Sequence, residues 1–359
     1  TCMEKGLKRA LPGVSVVKIP MADGGEGTVQ AIVDATGGRF IRRAAHDPLG
    51  RRIRAVFGLT GDGATAVIEM AAASGLPLLR PVERNPMRTS TRGTGDLIRH
   101  ALALGVRRIL VGIGGSATND GGTGMARALG VRFLDRNGRE LPEGGGALAR
   151  LDRIDVTRLD PRVERATIDV ACDVSNPLAG PRGASRVYGP QKGATPAMVR
   201  QLDANLVRLA RIMKRDLGAD VLRAPGGGAA GGLGAGLMAF LDARLRRGVE
   251  IVMDAVQMER QLRGCDLVIT GEGRLDGQTA FGKTPAGVAR AAAKLGIPVI
   301  AICGSLGRNA QAVHGVGIAA FFSALEEPVA DGDLPRRGPE MLAHCAEEVG
   351  RLICLRWRK

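Results

Sequence analysis

The sequence predicts an α/β protein built on a parallel sheet, with a second α/β domain inserted into the first. Three observations carry this. The C-terminal third alternates strand-like and helix-like runs: "DLVITGEG", "TPAGVARAAAKLG", "PVIAICGS", "GIAAFFSAL" and "GPEMLAHCAEEVGRLICLRWR". Glycine supplies 53 of the 359 residues, with dense clusters just past apolar runs, where a strand-to-helix turn needs bare backbone. Between 39 and 70 the rhythm changes to β-branched runs broken by Asp-Pro, Pro-Leu-Gly and Gly-Asp-Gly turns. That is a strand meander, and it marks the inserted domain.

Taken in order, the chain starts in a helical stretch, "CMEKGLKRALPG", closed by Pro12–Gly13. A strand "VSVVKIP" should follow, then the turn "MADGGEGT" and the helix "TVQAIVDATGG", ended by its glycines. After the meander, "STRGTGDLIRHALALGV" reads as an amphipathic helix, "RRILVGIGG" as a buried strand and "TGMARALGV" as a helix. A turn-rich stretch at 135–160 leads to the strand "ATIDVACDV". The segment "MVRQLDANLVRLARIMKRDLG" has the clearest helical spacing, and "APGGGAAGGLGAGLMAFLDARL" is a glycine-rich entry to another helix.

Composition removes several classes. No run approaches the roughly 18–20 uncharged apolar residues of a membrane span, and no start resembles a signal peptide, so a cytoplasmic protein is expected. The six cysteines show no C-x-x-C spacing and read as small buried residues in a reducing compartment. The four histidines form no metal pattern. A net charge of +15 invites nucleic acid, but only eight of the 51 basic residues are lysine and the arginines are scattered. No basic arm, stacking aromatics or groove-reading module accompanies them, and aromatics make up 3% of the chain. The charge reads as solvated surface that favours anionic substrates.

Chemistry concentrates at strand exits, where open α/β sheets bind ligands. In "PMADGGEGT", Asp23 and Glu26 flank Gly24–Gly25, which suits a ligand contact or an Asp-Gly turn. "GIGGSATNDGG", 112–122, puts five glycines beside Ser116, Asn119 and Asp120, for phosphate or for a tight turn. "ACDVSNPL" offers Asp173 and Asn176, and "GPQKGAT" offers Gln191 and Lys192. The densest is 267–285, "LVITGEGRLDGQTAFGKTP", where Glu272, Arg274, Asp276, Gln278, Thr279 and Lys283 follow a buried strand. Phosphoryl transfer needs such a set: carboxylates for Mg²⁺, cations for the moving group and a base for the acceptor hydroxyl. The alternative there is a solvated loop with Thr284 capping a helix that starts at Pro285. Neither a P-loop nor a protein-kinase or hydrolase signature occurs.

Six strings, in order, resemble the bacterial glycerate kinase family, the type without a P-loop. They are "PMADGGEGT", "GIGGSATNDGGTGMARALG", "ACDVSNPLAGPRGAS", "YGPQKGAT", "GGGAAGGLGAG" and "VITGEGRLDGQTAFGKTPAGVA", and they span nearly the whole chain. The resemblance implies ATP-dependent phosphorylation of D-glycerate with Mg²⁺, giving 2-phosphoglycerate, with 3-phosphoglycerate the minor option. It implies a flavodoxin-like or Rossmann-like sheet domain, 1–45 plus 237–359, carrying an inserted α/β domain at 46–236, with the active site in the cleft between them. A small-molecule substrate is implied, with no nucleic acid and no membrane; a homo-oligomer is left open.

Carried over residue by residue, the resemblance gives Asp276, Arg274, Asp23 and Lys283 catalytic roles. Gly114, Gly115, Ser116, Asn119, Asp120, Lys192 and Thr279 would bind ATP. Asp173, Asn176 and Glu26 would bind glycerate, and Glu272 with Asp276 would serve the metal. The family's opening strand, with an Asp-Ser-Phe-Lys-Gly exit, has no counterpart in the sequence given, which starts at Thr1 in the following helix. Either this is a fragment or the start is misplaced, or the domain lacks that strand, and only the second case would remove the loop's substrate contacts. Two rival readings stand beside this one. Gly112–Ala117 spells the G-x-G-x-x-A variant of a dinucleotide fingerprint, with Asp135 as its acidic partner. A basic nucleic-acid-binding protein is the other.

Overall fold

A computed structural model describes residues 2–355; the expected last helix ends at Arg358, so its final residues lie outside the described ones. The chain enters as helix α1 (Cys2–Ala10), which buries Gly6 and Leu7. The strand expected at 14–20 is irregular backbone. Its valines alternate as in a strand, but among the described residues no strand pairs with it and Val17 stays 57% exposed. Alternation makes a strand only where a neighbour completes the backbone hydrogen bonds.

From Pro20 to Val252 the chain forms one compact unit. Helix α2 (Thr28–Thr36) ends at Gly37 in the left-handed region, as its terminal glycines predict. The meander is β1 (Arg39–His46), β2 (Arg52–Leu59) and β3 (Thr65–Glu69), paired antiparallel. Then come α3 (Ala71–Ser74), α4 (Arg92–Ala103), β4 (Arg108–Gly112) and α5 (Thr123–Ala128). The short β5 (Arg132–Leu134) and β6 (Arg153–Asp155) pair with each other as a separate antiparallel ribbon. Next are β7 (Thr167–Ala171), α6 (Ala184–Tyr188), α7 (Pro196–Leu217), α8 (Ala229–Leu241) and β8 (Arg244–Arg246). The sheet order is β1-β2-β3-β4-β7-β8, parallel from β3 onward.

This unit's core is aliphatic, as the composition requires, and β4 runs through it with Ile109 and Val111 fully buried. Helix α7 supplies the stripe Leu202, Leu206, Leu209 and Met213, each inaccessible to solvent. Thr195 accepts from Met198 N at its start, and Gly218 closes its end in the left-handed region. The glycine-rich segment opens α8 differently from a plain helix entry: Ala230, Gly231 and Gly232 all have positive φ. The residues after α8, read as helix up to Leu245, leave it at Asp242 and become β8, because the edge of β7 accepts another strand there.

Residues up to 19, with those from 253 on, form the second unit. After α9 (Gly248–Ala255), in which the division falls, come α10 (Met258–Leu262), β9 (Val268–Thr270), β10 (Arg274–Leu275), α11 (Thr284–Ala293), β11 (Val299–Cys303), β12 (Ser305–Leu306), β13 (Ile318–Ser323) and α12 (Leu334–Ile353). The parallel sheet is ordered β13-β11-β9, and β10 pairs in parallel with β12. The larger unit takes more chain than the expected 46–236. Packing explains the difference: Gly58 of β2 leaves room for Val33 and Val29 of α2, and β8 pairs with β7.

Candidate active site

Past β4, the loop from 113 to 122 is pinned from both sides. Leu76 N donates to Gly115 O at 2.8 Å, and Ala117 N donates to Ser74 O at 3.0 Å. Gly115 has a φ of 70°, open to glycine at little cost. Asp120 is wholly buried and accepts from Thr91 N (2.8 Å), Thr91 Oγ1 (2.9 Å), Gly122 N (3.1 Å) and Gly124 N (3.1 Å). Burial raises its pKa above the usual carboxylate value, while these donors oppose the rise. Asn119, also fully buried, donates to Ser185 Oγ at 2.9 Å. Helix α5 starts only at Thr123, so no helix N-terminus stands inside Gly112–Ala117. Asp135 follows β5, outside the main sheet, and accepts from Asn137 N and Arg139 N of its own turn. The dinucleotide reading fails on both counts.

A cavity of about 320 Å³ opens beyond the carboxyl ends of β4 and β7. Gly114, Gly115 and Ser116 line it, with Asp23, Gly24, Asp173, Tyr188, Gln191 and Lys192. Gly24 is required by the approach of chains: at φ 91° a Cβ would sit 2.5 Å from Ala171 Cβ and 2.9 Å from Gly248 Cα. Asp23 accepts from Gly25 N at 3.1 Å, a turn device that also presents its carboxylate to the cavity. Asp173 accepts from Gly248 N at 3.1 Å. Its pKa is raised, first by desolvation of the carboxyl and then by the like charge of Asp23.

Lys192 is 2% exposed, and its ammonium donates to Thr118 O at 2.7 Å and Ser116 Oγ at 3.2 Å. Burial lowers its pKa to about 7. The cavity thus joins Asp23, Gly114, Gly115, Ser116, Asp173 and Lys192 from the predicted set. Asn119 and Asp120 stand behind the wall rather than in it, and Glu26 is exposed outside the lining. Asn176 is also outside the lining; it accepts from Tyr188 OH at 2.7 Å and so fixes a group that lines the cavity. Sequence reasoning passed over Tyr188, Cys172 and Ala230. The chain's single tyrosine, directly before "GPQKGAT", was a usable signal. Nothing in the letters marks Ala230 for its positive φ of 53°.

On the second unit, the loop after β9 is organised by Thr279, which is fully buried. Its hydroxyl donates to Glu272 Oε1 and accepts from Asp276 N at 3.1 Å. Asp276 Oδ1 in turn accepts from Gln278 N at 2.9 Å. Arg274 lies in β10 opposite Ser305, its guanidinium over Gly307, where a Cβ would come within 2.9 Å of Nε. Lys283, not Thr284, is the N-cap of α11, and its side chain makes no capping bond. Among the described residues no group of three His, Cys, Asp or Glu side chains could hold a metal by itself. Glu272 and Asp276 nonetheless suit Mg²⁺, which commonly takes one or two carboxylates and completes its shell with phosphate oxygens and water.

Carboxylates, a buried lysine and a glycine-built loop at the ends of parallel strands define an α/β protein equipped to hold a small anionic ligand. The model of the glycerate kinase family matches residues 1–354. A glycerate kinase of Halalkalibacterium halodurans is 51% identical over 357 residues, covering 99% of this chain and 93% of its own. A glycerate 2-kinase of Escherichia coli K12 is 52% identical over 323 residues, 90% of this chain and 85% of its own. A solved structure from Salmonella typhimurium LT2, named for glycerate kinase 2, has a TM-score of 0.91 at 49% identity, covering 98% of this chain and 92% of its own. The chain belongs to the glycerate kinase family. It is a kinase, with ATP as co-substrate and a small molecule as acceptor. No described helix is long and apolar enough to cross a membrane.

Proposed function

We propose that the protein transfers the γ-phosphoryl group of ATP to the 2-hydroxyl of D-glycerate, giving 2-phosphoglycerate. Family membership supports the substrate, and the E. coli relative's name, glycerate 2-kinase, supports the position. The observation that carries the reading is the cavity at the ends of β4 and β7, where the Gly114–Ser116 backbone and Lys192 meet Asp23 and Asp173. The lysine and backbone donors there suit a carboxylate or phosphate, and carboxylates suit a hydroxyl that must lose its proton.

In this scheme Asp23 and Asp173 bind the glycerate hydroxyls, and Asp173, with its raised pKa, accepts the proton as the hydroxyl attacks. Tyr188, steadied by Asn176, orients the acceptor. Gly114–Ser116 and Lys192 hold an oxyanion, while Asn119 and Asp120 keep that loop in shape. Lys283 binds phosphate, and Arg274 binds a carboxylate or phosphate through two N–H groups. Glu272 and Asp276, joined through Thr279, would hold Mg²⁺, which supplies neutralising charge to the phosphates when bound.

The test is D-glycerate-dependent ADP formation with Mg²⁺, followed by ³¹P NMR of the product. A 2-phosphate is expected. A 3-phosphate removes the regiochemistry, and no glycerate-dependent ADP removes the substrate.

A further inference from the structure

Lys192 is a buried lysine with neutral hydrogen-bond partners. It sits on the one-turn helix Pro190–Lys192, and its two protein partners are the Thr118 carbonyl and the Ser116 hydroxyl. No carboxylate lies within ion-pair distance of its Nζ among the described residues. The charged groups facing it are Asp120, buried behind the 116–120 loop and saturated by four donors, and Asp23 and Asp173 around the cavity; Cys172 and Tyr188 also line it. An ammonium has three protons to donate, and two are used. An anionic molecule in the cavity that Lys192 lines would supply both an acceptor for the third donor and a counter-charge.

We propose that Lys192 takes up a proton as the ligand binds and serves as counter-ion to a ligand oxyanion, so that occupancy of this cavity is proton-linked. This rests on the reading of the cavity as a substrate-binding site. The proton comes from bulk solvent and returns there when the product leaves, so the transfer reaction itself is unchanged. In the free protein, burial without a counter-ion favours the neutral amine, and the value near 7 agrees with that. The Thr118 carbonyl and Ser116 hydroxyl hold the nitrogen in place in either form. The oxyanion is a carboxylate if glycerate occupies this end of the cavity and a phosphate if the nucleotide does.

The chain has only eight lysines, so selective ¹³Cε labelling of lysine resolves their titrations. In the free protein one signal should titrate far below the others, near neutrality, and Lys192→Met should delete that signal. Saturating D-glycerate, ADP or inorganic phosphate, added separately, should raise that titration by about one unit or more in at least one arm, and the arm names the oxyanion. Calorimetry at pH 8 in two buffers of different ionisation enthalpy should show proton uptake in the same arm, absent in Lys192→Met. The proposal is overturned if all eight lysines of the free protein titrate near their ordinary value, or if none of the three probes moves the low one. The functional reading fails separately, if glycerate supports no ADP formation while the phosphate arm still shifts Lys192. Thermal unfolding of Lys192→Met establishes that the variant is folded.

Discussion

Asp120 accepts both the backbone N–H and the hydroxyl of Thr91, at 2.8 and 2.9 Å, and so ties the loop after β4 to the start of α4. The same carboxylate takes Gly122 N and Gly124 N. The bare backbone of the glycine loop therefore owes its shape to one buried side chain. Asp120→Ala leaves four buried donors without a partner and should cost about 3–5 kcal/mol in urea unfolding. Thr91→Val removes a hydroxyl that also accepts from Met125 N at 2.9 Å and should cost about 1–3 kcal/mol, and the double mutant should lose less than the sum. Additive effects would show that the two residues do not act as one network.

Glycine identity should matter unequally. A Cβ on Gly231 runs into the carbonyl of Thr118, the group that also holds Lys192, and its φ is 70°. Gly231→Ala should destabilise by about 2 kcal/mol or more and weaken substrate binding as well. Gly37 has a similar φ of 62° but open space around it, so Gly37→Ala should cost only about 1 kcal/mol, with kcat/KM unchanged. Equal losses of activity in the two variants would remove the link from Gly231 to the cavity.

Stability should carry the signature of Lys192. Unfolded, the amine keeps its proton up to its ordinary value of 10.5; folded, it loses it near 7. Between those values the unfolded chain binds more protons, so this group makes the folded state more stable as pH rises, by up to about 1.4 kcal/mol per unit. Below 7 its full cost is present. Lys192→Met should thus gain stability over the natural chain at pH 7 and lose most of that advantage by pH 9.5. An advantage that does not depend on pH would show that the folded-state value is not depressed.

Thr279 is a positioning residue whose hydroxyl joins Glu272 to Asp276 N. Thr279→Val should lower kinase activity about 10- to 100-fold, with a higher Mg²⁺ requirement, and Thr279→Ser should restore most of it. A loss of stability alone, with an unchanged Mg²⁺ dependence, would assign Thr279 to packing.

The alternating C-terminal elements, the helix stripe of Leu202, Leu206 and Leu209, the Asp-Gly turn at Asp23 and the strand exits at Gly114 and Asp173 were legible in the letters. Each follows from local periodicity or from turn chemistry. Residues 14–20 read as a strand and are not one, because alternation is local while a ladder needs a partner. Arg244 and Leu245 read as helix and fall in β8, because the free edge of β7 decides their fate. The six ordered strings were enough to assign the family. What the sequence by itself determined was the alternation, the aliphatic core and the inventory of polar residues at strand exits. Only the tertiary structure decided which of them face the cavity: it turned Asn119 and Asp120 inward, set Asn176 behind Tyr188, and stripped Lys192 of water without giving it a carboxylate. The reason is that burial and charge pairing depend on chain segments far apart in sequence, and no local pattern records them.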